Sequence, residues 1–90
     1  MPRPYGTDLY VMQMGDLVKV GRSMNCQRRL AEHRRSNPWG DIRLVAVFPE
    51  SGFAEPWVLR ALAAHERRSE WVKCTVAQAI AAVSVALVLL

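Results

Sequence analysis

Residues 18–35, VKVGRSMNCQRRLAEHRR, leave few arrangements open. Val18, Lys19 and Val20 alternate as a half-buried strand does, and Gly21 then permits backbone that a Cβ would obstruct. Ser23 or Asn25 can cap a helix from about Cys26 to Arg35, with Leu30 as its main apolar anchor. The run predicts a strand, a glycine turn and a basic helix in quick succession.

Lys19, Arg22, Arg28, Arg29, Arg34 and Arg35 are six of the chain's twelve basic residues, against the single acid Glu32. The run therefore carries +5 in a chain whose net charge is +4, and the remainder nets −1. Guanidinium groups clustered beside a glycine turn suit phosphate oxygens, which accept paired hydrogen bonds from arginine. A polyanionic partner is one reading; a solvated helix face is the other, and charge alone does not separate them. At 90 residues and 51% hydrophobic content the chain is one globular domain with a modest core.

Cys26 and Cys74 stand far apart with no nearby Cys or His to suggest zinc ligation, and two thiols without a secretory signal predict a reducing cytoplasm. Residues 1–7, with Pro2, Pro4 and Gly6, read as an extended lead-in. Residues 9–14 form a strand candidate, and Gly15-Asp16 turns the chain into the strand 17–20. This hairpin puts Tyr10 across from the Gly21 end of its partner. Pro38 and Gly40 mark 36–41 as a loop, and 42–48, IRLVAVF, is the most β-branched stretch, expected buried in the same sheet.

A second helix is predicted over 54–67, with Pro56 tolerated in its first turn and Val58, Leu59 and Leu62 on its apolar face. Glu55 falls at its entrance, where a carboxylate complements the helix dipole. Residues 69–72 read as a short extended or turn segment. A final helix over 76–90, capped by Thr75, is apolar nearly all round. Its fifteen residues fall short of the roughly 20 that span a bilayer. A packed terminal helix or an oligomer contact is the expectation, not a membrane tail.

Taken together, these residues resemble the GIY-YIG nuclease superfamily, more closely its small single-domain phage-type and bacterial branch. Leu9-Tyr10-Val11 matches the first triplet and Lys19-Val20-Gly21 the second, followed by Arg22-Ser23 and by Arg29-Leu30-x-x-His33. Glu55 and Ser69-Glu70-Trp71-Val72 stand for the family's helix-entrance Glu and closing Gly-Glu-Trp-Phe. The sequence departs from the pattern at Lys19, Leu59, Ser69 and Val72, and Pro56 after Glu55 bears on where the carboxylate sits.

The resemblance implies metal-dependent hydrolysis of DNA phosphodiester bonds, with no small-molecule cofactor. Tyr10 would activate or position the attacking water, Arg29 would stabilise charge on the phosphate, and Glu55 would hold one Mg²⁺ or Mn²⁺. Lys19, Arg22 and His33 fall on further active-site positions, and Arg28, Arg34 and Arg35 would contact the DNA backbone. The implied fold is α+β: an antiparallel sheet of about three strands flanked by helices, with the hairpin and both mid-chain helices lining one cleft. Two other functions fit the residues: a nucleic-acid-binding module without turnover, and an assembly protein that docks through its apolar C-terminal helix.

Overall fold

The computed structural model describes residues 7–89. Its centre is the hairpin of β1 (Asp8–Met14) and β2 (Leu17–Ser23), paired from Asp8↔Ser23 to Met14↔Leu17. Gly15, at φ +63°, takes the left-handed conformation that so tight a turn asks for. Gly21 makes no turn of its own: β2 runs through it to Ser23, three residues beyond the strand end expected from the sequence.

Among the described residues the sheet has five antiparallel strands in the order β3-β1-β2-β5-β4, more than the expected three. β3 (Ile42–Phe48) pairs with β1, with a bulge between Val11 and Met12. It is an edge strand with Val45 and Val47 partly exposed, not the buried strand expected. The added strands are β4 (Arg67–Arg68) and β5 (Trp71–Lys73), the latter paired with β2 through Val18↔Val72. Ser69 takes a positive φ of 59° in the turn between them.

Helix α1 (Cys26–Ser36) is capped by Asn25, whose Oδ1 accepts the Arg28 amide at 3.0 Å, while Ser23 Oγ accepts the Asn25 amide. Helix α2 (Glu55–Ala61) follows a 3₁₀ turn at Gly52–Ala54 and stops with Leu62 as its C-cap, short of the expected residue 67. Leu62 is the last residue of this stretch that the core buries. Beyond it AAHERR offers no apolar face, and the chain goes into β4 instead. Helix α3 (Val76–Leu89) opens with a reciprocal cap, Thr75 and Gln78 each accepting the other's amide. Among the described residues no helix is long and apolar enough to cross a membrane.

Strand alternation divides the core in two. Leu9, Val11, Val18 and Val20 pack against Val58 and Leu62 of α2 and Ala79, Val83 and Ala86 of α3. On the other face Tyr10 and Met12 pack with Cys26 and Leu30 of α1, Ile42 and Trp71. The two mid-chain helices thus lie on opposite faces and do not line one cleft as expected. Each free cysteine is buried in a different core, Cys26 at the start of α1 and Cys74 two residues before α3.

Candidate active site

Tyr10 and Gly21 are direct cross-strand partners, and the phenol ring lies over the glycine. A Cβ at residue 21 would collide with the phenol oxygen and the ring carbon that bears it. Gly21 is therefore the floor on which Tyr10 lies. The tyrosine is almost wholly buried, and burial pushes its phenol above the ordinary value; the Arg29 guanidinium, in polar contact, pulls it down, while Glu55 and Cys26 push it up. Tyr10 and then Glu32 raise Arg29 in turn. The phenol thus feels both the Arg29 guanidinium and the Glu55 carboxylate, although the three groups come from β1, α1 and α2.

Glu55 is further held by Arg22, with Nε 3.7 Å from Oε1. Arg22 occupies the β2 position after Gly21, so pleating turns it towards the α2 side of the sheet. Pro56 in the first turn of α2 leaves the carboxylate in this neighbourhood.

Farther along α1, a cleft of about 690 Å³ opens against the β4–β5 turn, lined by Arg29, Glu32, His33, Arg68, Glu70 and Trp71 among others. A second hollow of about 410 Å³, between Arg22, Asn25 and Arg28, shares Arg29 and Glu32 with it. The two form one surface along the helix. Lys19, buried on β2, places Nζ 2.9 Å from Glu70 Oε2, and that pairing holds the Glu70 carboxyl below its usual value. His33 meets Trp71 edge to face, with ring centroids 6.1 Å apart, and its Nε2 is buried without a hydrogen-bond partner. Burial first, then the charges of Lys19 and Arg29, lower its pKa, so the ring is neutral near pH 7.

The three expected backbone contacts are placed differently. Arg28 is exposed and sits 3.8 Å from Glu32. Arg35 is exposed and has no ion-pair partner among the described residues. Arg34 instead gives two hydrogen bonds, at 3.0 and 2.8 Å, to the Ile42 carbonyl and ties α1 to β3.

Tyr10, Arg22, Arg29 and Glu55 therefore gather at the Gly21 end of the hairpin, while His33 lines the cleft farther along and Lys19, itself buried, reaches it through Glu70. Sequence reasoning assigned no role to Glu32, which is 3.2 Å from Arg29, or to Glu70. Glu32 carried a signal in its spacing, three and four residues from two arginines. Glu70 carried one only through the closing motif. Among the described residues no group of three or more His, Cys, Asp or Glu side chains converges to cage a metal ion.

No curated protein and no solved structure gives a significant match to this chain. A family model does: the T5orf172 domain, over residues 8–87, with no match to a GIY-YIG model itself. That domain occurs in phage and bacterial proteins associated with nuclease-type homing proteins. The match runs from the first residue of β1 to within two residues of the end of α3, and the chain belongs to the T5orf172 domain family.

Proposed function

We propose that this domain is a metal-dependent endonuclease of GIY-YIG type that hydrolyses DNA phosphodiester bonds. The observation that carries the reading is the packing of Tyr10 on Gly21 with Arg29 and Glu55 both acting on the phenol. Buried aromatics are ordinary; one whose hydroxyl shares its surroundings with a guanidinium and a carboxylate from separate elements has the makings of a reaction centre.

The Arg29 guanidinium donates to a phosphate oxygen and stabilises it more as the pentacoordinate transition state gathers charge. Tyr10, protonated at neutral pH, orients the attacking water through its phenol oxygen. Neutral His33 offers a proton acceptor in the adjoining cleft. Glu55 alone makes no cage, but one hard carboxylate, partly exposed, fits Mg²⁺ or Mn²⁺, which draw most of their ligands from water and phosphate. Such an ion, when bound, supplies Lewis-acid stabilisation of the leaving oxygen. Arg22 lies against the same carboxylate, Nε 3.7 Å from Oε1.

The test is cleavage of supercoiled and branched DNA with Mg²⁺, with Mn²⁺ and with chelator. Metal-dependent nicking that drops by about 10²-fold or more in Arg29→Ala and Glu55→Ala, both still folded, is the expected result. Absence of product from folded wild type under all these conditions overturns the proposal. The engagement of Glu55 by Arg22 favours a second reading, a DNA-binding module without turnover. It requires salt-sensitive binding that survives Glu55→Ala and yields no product.

A further inference from the structure

Trp39 is the most exposed large apolar side chain among the described residues, at 97% of its full accessibility. A tryptophan usually contributes about 150–250 Å² of buried area to a core or an interface; here the fold uses none of it. Its mounting is nonetheless stiff. The Asn37 amide and Nδ2 both donate to the His33 carbonyl at 3.0 Å, and the Gly40 amide donates to the Asn37 carbonyl at 3.0 Å. Pro38 fixes its own φ, and Gly40 packs so closely on Met14 that a Cβ there would meet the sulfur. Arg34 then grips the Ile42 carbonyl just past the turn. The backbone around the indole is pinned on both sides while the ring itself touches little, which is how a stacking platform is built.

Its place relative to the proposed reaction centre is informative. The cleft that begins at Arg29 runs along α1 to Ser36 and Asn37, where the Trp39 turn starts. From Arg29 to Asn37 the helix advances about 12 Å at about 1.5 Å per residue, equal to three or four nucleotides at about 3.4 Å each. Arg35, exposed and without an ion-pair partner among the described residues, lies in the last turn of α1, four residues before Trp39 in the chain, where it can meet a phosphate. A base pair inside a duplex hides its faces, so an indole at that point gains a partner only where a base is unstacked.

We infer that Trp39 stacks on an unpaired or extruded nucleobase of DNA lying along α1, so that the substrate class is DNA with a base out of the helix, as at a bulge, a branch or a single-stranded gap. The inference rests on the DNA reading above and not on catalysis. It is therefore tested by binding in chelator, with a duplex carrying a single-base bulge against a fully paired duplex of the same length. Wild type binds the bulged DNA about tenfold more tightly. Trp39→Ala and Trp39→Leu bring the ratio close to one, Trp39→Phe keeps most of it, and Trp57→Ala, an exposed tryptophan on the opposite face, leaves it unchanged. A 2-aminopurine in the bulge is quenched by wild type and not by Trp39→Ala.

Equal affinity of wild type for the two DNAs, or a preference that survives Trp39→Ala, overturns the role of Trp39 and leaves the DNA reading standing. Failure to bind either DNA at low salt overturns both. A Trp39→Ala variant that keeps its DNA preference while losing a protein partner assigns the indole to protein docking and likewise overturns the inference.

Discussion

Gly21 owes its identity to Tyr10, not to its own backbone, since its φ is not positive and it lies inside β2. The space a side chain would need is filled by the phenol ring. Gly21→Ala therefore overpacks the site and costs about 1–3 kcal/mol in urea unfolding. In a Tyr10→Ala background the same substitution costs far less, and the coupling measured by the double-mutant cycle reports the contact directly. A second residue-scale consequence concerns His33, whose folded pKa lies below the unfolded value of about 6.5 because burial and the charges of Lys19 and Arg29 disfavour its cation. Between those two values the unfolded chain binds the proton and the folded one does not, so unfolding is favoured as pH falls through that window. Above about pH 6.5 the group contributes no slope. Unfolding followed at a series of pH values should show this loss in wild type and a reduced loss in His33→Gln.

At the scale of elements, α1 carries the site's arginine and depends on its cap. Asn25→Ala removes the acceptor of the Arg28 amide and should cost about 1 kcal/mol of stability, read as a lower denaturation midpoint with an unchanged slope. This cap, the hairpin and α1 were legible in the sequence because each has a local signature: alternation in 9–14, Gly15-Asp16, and a polar cap before an amphipathic run. The facing of Tyr10 and Gly21 followed from hairpin register alone. Strands β4 and β5 were not legible, because two or three residues carry no period and only pairing, of β5 with β2 and of β4 with β5, makes them strands. The end of α2 differs from the sequence expectation for a related reason. Residues 63–67 favour a helix locally, but burial stops at Leu62. For the candidate site, Tyr10, Arg29 and Glu55 are put forward only through the resemblance, whereas the Lys19–Glu70 pair depends on a contact across 51 positions that no spacing announces.

For the molecule as a whole, the basic charge is concentrated on one helix and the strand before it, so the long-range field favours a polyanion along that side. Not every cation in the patch is equally free to meet a phosphate. Arg28 and Arg35 are exposed on α1, while Arg34 is committed to the Ile42 carbonyl. If α1 tracks a DNA backbone, the logarithm of the association constant falls linearly with the logarithm of salt concentration, and each lost phosphate contact makes the slope shallower by about 0.9. Arg28→Ala and Arg35→Ala should each produce that change and add in the double variant, with little effect on folding. Arg34→Ala should do the reverse: an unchanged slope, and a stability loss of about 1–3 kcal/mol because a part-buried, charge-assisted pair of hydrogen bonds is gone. Slopes from titrations at four or five salt concentrations, alongside urea unfolding of the same three variants, decide the matter. An Arg34→Ala slope as shallow as the other two would mean that the α1–β3 tether opens when DNA binds.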